Sequence, residues 1–260
     1  MGRKRPRVCF DRKDLRGSRL RCLMLTAMPR KHVASWLTKL GGPCATVDAD
    51  RHKWTPSGFL QPQEARLGRT REFLSCGDRN EVLRWWLRAG TNTPSWDIVS
   101  TCDFDGQPGL LLVEAKAHDQ ELAEEDRCHA THPGNVCQIG KALSKASAEL
   151  EQVVPGWHLS RDSHYQLSNR FAWSWKIASL GIPVVLVYLG FLDAEEMADQ
   201  GRPFGSPKDW ATAVRSYSSG VVPADGVWER RIEINGTPMC ALTRSLRLRC
   251  DVFKDATEGG

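Results

Sequence analysis

Three charged side chains, Asp97, Glu114 and Lys116, fall within twenty positions of one another and are set among apolar runs. Two converging carboxylates suit a hard, oxygen-seeking cation such as Mg2+ (or Mn2+), which keeps several waters for itself. A metal held there lowers the pKa of a bound water, and an ammonium beside it stabilises negative charge developing at an attacked centre. Lys116 next to two carboxylates stays protonated, because nearby negative charge favours its ionised form. Its expected part is therefore electrostatic and not that of a base. Metal-assisted hydrolysis is the chemistry these residue types suit.

A hairpin has to bring them together. Ile98 to Phe104 and Leu110 to Val113 flank Asp105-Gly106-Gln107-Pro108-Gly109, a stretch rich in turn formers. Side chains alternate faces along a strand, so Glu114 and Lys116 point the same way. A turn centred near Gly106 sets Asp97 across from Glu114 or Lys116; the two registers differ by two residues, so both leave Asp97 on that face. Asp103 and Asp105 fall at the turn end and are read as turn residues. On an exposed edge the same residues would make only a surface ion pair, worth ~0–1 kcal/mol.

Pro94-Ser95-Trp96-Asp97, then Glu114-Ala115-Lys116 after a spacer of sixteen residues, resembles the motif of the PD-(D/E)xK nuclease superfamily, with its restriction-endonuclease-like fold. Pro and Asp are not adjacent here, a departure common in that family. The resemblance implies an α/β fold: a restriction-endonuclease-like core with a central mixed β-sheet flanked by helices. It implies a hydrolase that cuts phosphodiester bonds, in DNA first and RNA second. Asp97, Glu114 and Lys116 would be catalytic, with Asp97 and Glu114 holding Mg2+ or Mn2+. It also implies an acidic residue from the first core helix, for which Glu81 is the candidate, and a Gln or basic residue from a later helix, for which Gln166 and Arg170 are. Helix capping by Glu81 and a surface stripe at Gln166 and Arg170 compete with those roles. A catalytically inactive nucleic-acid-binding or scaffold protein is the alternative function, since fold alone does not secure activity.

The surrounding pattern supplies the elements. Residues 63–89 read as helix, with Asp78 as N-cap, Glu81 as its capping-box partner, and Gly90 as the stop. Ile139, Leu143, Ala146, Leu150 and Val153 recur at helical spacing over 138–153. A helix over 163–180 leads into a buried strand at 182–192, and Ser206-Pro207 opens a helix through Tyr217. Val227 to Ile234 and Met239 to Leu248, joined by Asn235-Gly236, read as a hairpin carrying Arg230, Arg231, Arg244, Arg247 and Arg249. Those arginines would either discourage edge pairing or meet a phosphate backbone. Near the start, 33–40 suggests a helix, while Val8 to Phe10 and Leu20 to Thr26 suggest strands. The expected organisation is a basic N-terminal extension over 1–62, a core over 63–192 with an insertion at 117–160, and an accessory helix and hairpin over 193–260.

Composition sets the remaining bounds. With 41% hydrophobic residues and ten Trp, the 260-residue chain folds around a substantial core. Nine Cys are scattered without a C-x-x-C pair, which predicts reduced thiols and a cytoplasmic location. The start MGRKRPRV lacks an apolar signal region, and the longest apolar run is about half the length of a membrane helix. No membrane partner is expected. Residues 1–31 hold eleven Lys or Arg against Asp11 and Asp14, a net +9 within a total of +5, so the other 229 residues carry −4. Arg3, Lys4, Arg5 and Arg7 are therefore candidate nucleic-acid contacts, working by counterion release; a solubilising tail is the other reading. Cys128, His129, His132 and Cys137 are side chains zinc accepts, but their spacing matches no common zinc pattern, and an exposed loop over the cleft is the preferred reading. Oligomeric state, a dimer included, is left open.

Overall fold

The computed structural model of the protein describes residues 16–123 and 127–250. The basic residues Arg3, Lys4, Arg5 and Arg7 and the strand expected at 8–10 lie outside the described residues. Helices α1 (Gly17–Thr26) and α2 (Arg30–Gly41) come first, then the short strands β1 (Trp54–Thr55) and β2 (Ala65–Arg66). Helix α3 (Cys76–Trp86) precedes β3 (Ser95–Trp96), β4 (Ile98–Phe104) and β5 (Gln107–Lys116). Helices α4 (Gln120–Ala123), α5 (Pro133–Glu151) and α6 (Tyr165–Ser179) lead to β6 (Val184–Leu192). Helix α7 (Pro207–Ser218) and the hairpin β7 (Arg231–Ile234) and β8 (Thr237–Arg247) close the chain.

Six strands form one mixed sheet in the order β1-β4-β5-β6-β8-β7, while β2 and β3 make a separate ribbon. β4 and β5 are antiparallel, with Ile98 opposite Val113. β5 and β6 are parallel, as are β6 and β8. Both hairpin turns follow from local chemistry: Asp105-Gly106 and Asn235-Gly236 all take positive φ, as a tight turn compatible with strand twist requires. Helices cover both faces. Leu111, Val113, Val185 and Val187 pack with α1 and α2, whereas Leu110, Leu112, Val184 and Leu186 pack with α3, α5, α6 and α7. The apolar runs of β5 and β6 are continuous because each face of the sheet is buried. On the second face Trp86 and Trp173 meet edge to face at 5.7 Å between centroids. Among the described residues no helix is long and apolar enough to cross a membrane.

Several expectations are corrected by packing. Leu20 to Thr26 is helical and covers the sheet, so within the described residues 16–62 the chain is part of the folded layer and not an extension. Helix 63–89 shrinks to Cys76–Trp86, since Ala65 and Arg66 pair with Trp96 and Ser95. Its cap is Ser75 and not Asp78: the Ser75 hydroxyl accepts from the Asp78 N–H at 3.1 Å and donates to the Asp78 carboxylate at 2.6 Å. Within the supposed insertion, α5 buries Ile139, Leu143, Ala146 and Leu150 in the main core. The supposed accessory hairpin supplies β8, an interior strand paired with β6 over nine residues. Its arginines are largely neutralised, Arg231 by Asp105 and Glu233, Arg244 by Glu229, and Arg247 by Asp193.

The sheet leaves one tight contact beside the end of β5. Gly190, opposite Lys116 in β6, lies under the Trp210 indole, and an added Cβ would come within 2.5 Å of that ring. Trp210 is anchored by its Nε1 donating to the Tyr188 carbonyl at 3.2 Å, so it has little room to yield. Gly190→Ala is expected to cost about 1–3 kcal/mol by overpacking. Urea unfolding measures this, and an unchanged midpoint would refute the contact.

Candidate functional site

The hairpin register decides the geometry. Because Ile98 faces Val113, Asp97 comes opposite Glu114, the first of the two registers expected. Asp97 sits at a bend between β3 and β4, and its Oδ2 accepts from the Ala115 N–H at 2.7 Å. Alternation along β5 sends Glu114 and Lys116 to the same face as Leu110 and Leu112, the face covered by α6. There the Lys116 Nζ lies 2.8 Å from Glu114 Oε1, and Arg170 Nε donates to Glu114 Oε2 at 2.6 Å. Arg170 also donates to the Ser95 carbonyl at 2.8 Å and to Asn169 Oδ1 at 2.7 Å, with its guanidinium 4.6 Å from the Trp96 ring centroid. One arginine thereby joins α6, β3 and β5.

These groups form the floor of a cleft of about 550 Å3. Glu114, Lys116 and Arg170 are only 2%, 6% and 5% exposed. Burial alone would raise the Glu114 carboxyl, but Arg170 and Lys116 outweigh it and hold the group below the usual range. Burial alone would lower the Lys116 ammonium, but Glu114 and Asp97 hold it above its ordinary value. Asp97 behaves oppositely: burial pushes its carboxyl well up, and the carboxylates of Glu114 and Glu64 push further. Glu114 has two cations in contact, whereas for Asp97 burial and the Glu114 and Glu64 carboxylates outweigh the opposing pull of Lys116 and the Ala115 N–H.

The other sequence candidates separate. Gln166, on the first turn of α6, lines the cleft, as does Arg170. Glu81 does not; it is half exposed and pairs with Lys176 at 3.0 Å and Arg84 at 3.6 Å. Its assignment fails because α3 packs on α5, which turns Glu81 away from the end of β5. Glu64 and Glu121 are the additional acids of the cleft. Glu64 contacts Arg19 at 3.1 Å, and Glu121 accepts from Ser18 at 3.3 Å and from the Ala117 N–H. Neither carried a local signal, since one precedes a two-residue strand and the other sits on a four-residue helix. His118 is buried with its Nε2 3.7 Å from Glu121, and it does not line the cleft. His129 and His132 do line it. His132 Nδ1 caps α5 by accepting from the Asn135 N–H at 3.3 Å, while Cys128 packs on the core and Cys137 is exposed.

Oxygen donors are what a divalent cation such as Mg2+ or Mn2+ takes, and Asp97 and Glu114 provide them. Among the described residues the Asp97 carboxylate has only the Ala115 N–H bonded to it, so its other oxygen could turn to a cation. Glu114 would have to yield an oxygen now bonded to Lys116, and among the described residues no three His, Cys, Asp or Glu side chains are already grouped to grip a metal. No family model, curated protein or solved structure matches the chain.

The unequal carboxylates give a measurable consequence. The native Asp97 carboxyl keeps its proton to higher pH than the unfolded one. The native state therefore binds more protons in that window, and wild-type stability falls as pH rises through it. Asp97→Asn keeps an acceptor for the Ala115 N–H and removes both the cost of burying an ionisable carboxyl and its repulsion by Glu114 and Glu64. It is expected to raise Tm by about 2–4 °C near neutral pH, the equivalent of ~1 kcal/mol in a chain of this size. The gain should shrink as pH falls toward ~4, the ordinary aspartate range. A variant melting at or below wild type throughout would contradict an Asp97 carboxyl raised by burial and by its neighbours.

Proposed function

We propose that the protein is a metal-dependent nuclease that hydrolyses phosphodiester bonds in DNA, with Asp97, Glu114 and Lys116 as its catalytic residues. The observation that carries this is the meeting of all three in one cleft, Asp97 bonded to the peptide after Glu114 and Lys116 bonded to Glu114. The order α2, β1, β4, β5, α6, β6, with β4 and β5 antiparallel and β5 and β6 parallel, supports reading the centre of the fold as a restriction-endonuclease-like αβββαβ core. β8, β7 and the remaining helices would then be additions around it.

Asp97 and Glu114 would hold Mg2+ or Mn2+, which when bound supplies a water of lowered pKa and neutralises charge on a non-bridging phosphate oxygen. Lys116 donates to the phosphate oxygen as negative charge builds on it, and its ammonium is kept protonated for that purpose by the two carboxylates. Arg170 fixes Glu114 through a charge-assisted bond and brings a second positive charge to the cleft floor. Gln166 contributes an amide at the entrance. The cationic side chains lower the cost of admitting a phosphodiester to a site that otherwise holds four acids.

One observation favours a second reading. Both Glu114 oxygens are engaged by cations of the chain itself, which is what an inactive nucleic-acid-binding descendant of such a site would show. Such a protein would bind DNA with a steep salt dependence and no turnover.

The two readings part in a cleavage assay with plasmid and single-stranded DNA in Mg2+ or Mn2+. Wild type is expected to cut, and Lys116→Ala and Asp97→Ala to lose about 10²–10³-fold in rate, the scale of removing one preorganised stabiliser. Cutting by the variants at the wild-type rate would exclude this site.

A further inference from the structure

Cys44, in the turn after α2, and Cys240, in β8, meet through their side chains. Cys240 is fully buried on the sheet face that α1 and α2 cover, and Cys44 packs against that same cluster while staying partly open to solvent. The turn is fastened from two sides. The Cys44 N–H donates to the Gly41 carbonyl at 2.9 Å, and Arg244 of β8 donates to the Gly42 carbonyl at 2.7 Å. The Cys240 thiol donates a hydrogen bond to the Cys44 sulfur, which sets the two sulfur atoms side by side.

We propose that Cys44 and Cys240 form a peroxide-sensitive pair, which closes to a disulfide tying the turn after α2 to β8. The pair lies on the opposite sheet face from Glu114 and Lys116, so it works apart from the proposed nuclease site.

The two sulfurs differ in what they can do. The hydrogen bond from Cys240, with the positive charge of Arg244, holds the Cys44 thiol below its ordinary value against the burial that would raise it. Cys240 is raised by that same bond and by burial, so it keeps its proton. A partly exposed thiol beside a cation is the reactive kind. Burial pushes the Cys102 thiol up to about 12 and raises Cys22 as well. Cys44 therefore reacts first, and hydrogen peroxide is the oxidant. Its thiolate attacks one peroxide oxygen: an S–O bond forms, the O–O bond breaks, and the departing hydroxide takes up the proton Cys44 had released, leaving as water. The Cys240 sulfur then attacks the sulfenic acid at Cys44. The S–S bond forms, the S–O bond breaks, and the hydroxide leaves with the Cys240 proton as a second water. The thiols together lose two electrons and the peroxide gains them. Closure draws the sulfurs to about 2 Å. The turn supplies the movement, since β8 is paired on both sides at Cys240, with Val185 and with Arg231.

Reduced full-length protein is treated with hydrogen peroxide, blocked with N-ethylmaleimide and mapped by mass spectrometry without reduction. A peptide joining Cys44 to Cys240 is expected, lighter by two hydrogen atoms than the sum of its thiol halves, and it should vanish on adding dithiothreitol. Closing a loop of about 200 residues restrains the unfolded chain, so the oxidised protein is expected to melt about 5 °C or more above the reduced one. With Cys240→Ala the reaction should halt at the sulfenic acid, and dimedone should label Cys44. Cys44→Ser should leave Cys240 unoxidised and melt alike with and without peroxide. The wild-type map needs no substitution, so it decides the matter even where a variant does not fold. Recovery of Cys44 and Cys240 as free thiols once the exposed Cys76 or Cys137 is oxidised, or a disulfide that leaves Tm unchanged, overturns the inference.

Discussion

A carboxylate almost removed from water, with one cation on each oxygen, is the constraint on which the rest of the structure depends. Glu114 could not stay ionised at 2% exposure by itself, because isolating a charge from solvent costs several kcal/mol even after relaxation. Lys116 comes from its own strand and Arg170 from a helix fifty-six residues later in the chain. Taking away either partner would leave one oxygen of the buried carboxylate without its cation, at a cost of up to about 3–5 kcal/mol, the range for breaking a buried pair. The position of α6 against the sheet is therefore fixed by electrostatics as well as by its apolar face. The Arg170 bonds to the Ser95 carbonyl and its stacking on Trp96 carry the same tie to β3.

The architecture supplies this contact at a particular edge. β5, β6 and β8 run parallel, so Lys116 at the end of β5 lies at the carboxyl edge of the parallel strands. Open α/β sheets place ligand crevices outside that edge, where the covering helices and the loops diverge. Alternation does the rest. Odd-numbered residues of β5 such as Val113 and Ala115 bury against α1 and α2, and even-numbered ones turn from Leu110 and Leu112 to Glu114 and Lys116 as the strand leaves the core. A strand that is apolar on both faces for most of its length thus delivers two charges into a cleft without a break in its pairing.

This edge was legible because its signals are local. The Asp105-Gly106 turn sets the register, a period of two sets the faces, and the 3.6-residue period of α5 and α6 places Gln166 and Arg170 on a helix that meets the strand. What the sequence did not disclose depends on contacts distant along the chain. Nothing near Thr237 to Arg247 says that this strand pairs with β6 in parallel, since no turn links the two. Leu20 to Thr26 has an apolar run short enough for either state, and only packing on the sheet makes it helical. The cap of α3 moved from Asp78 to Ser75 because both residue types cap helices, and Ser75 with Asp78 forms a reciprocal pair. Glu81 pairs with Lys176 and Arg84 outside the site, and Glu64 entered it from a segment with no periodicity.

Asp97 and Glu114 face one another across a hairpin, share one cleft and differ in what surrounds them. Glu114 is held ionised by two cations in contact. Asp97 has a single backbone N–H in contact, and neighbouring carboxylates act on it from two sides. Two like groups driven to opposite behaviour by their partners is the pattern expected where a protein sets acid–base and cation-binding roles apart. A group held in a state that costs stability is hard to account for by folding alone, because an amide or an apolar residue at position 97 would serve the hairpin at least as well. A positive charge arriving from outside the chain would turn that repulsion into attraction.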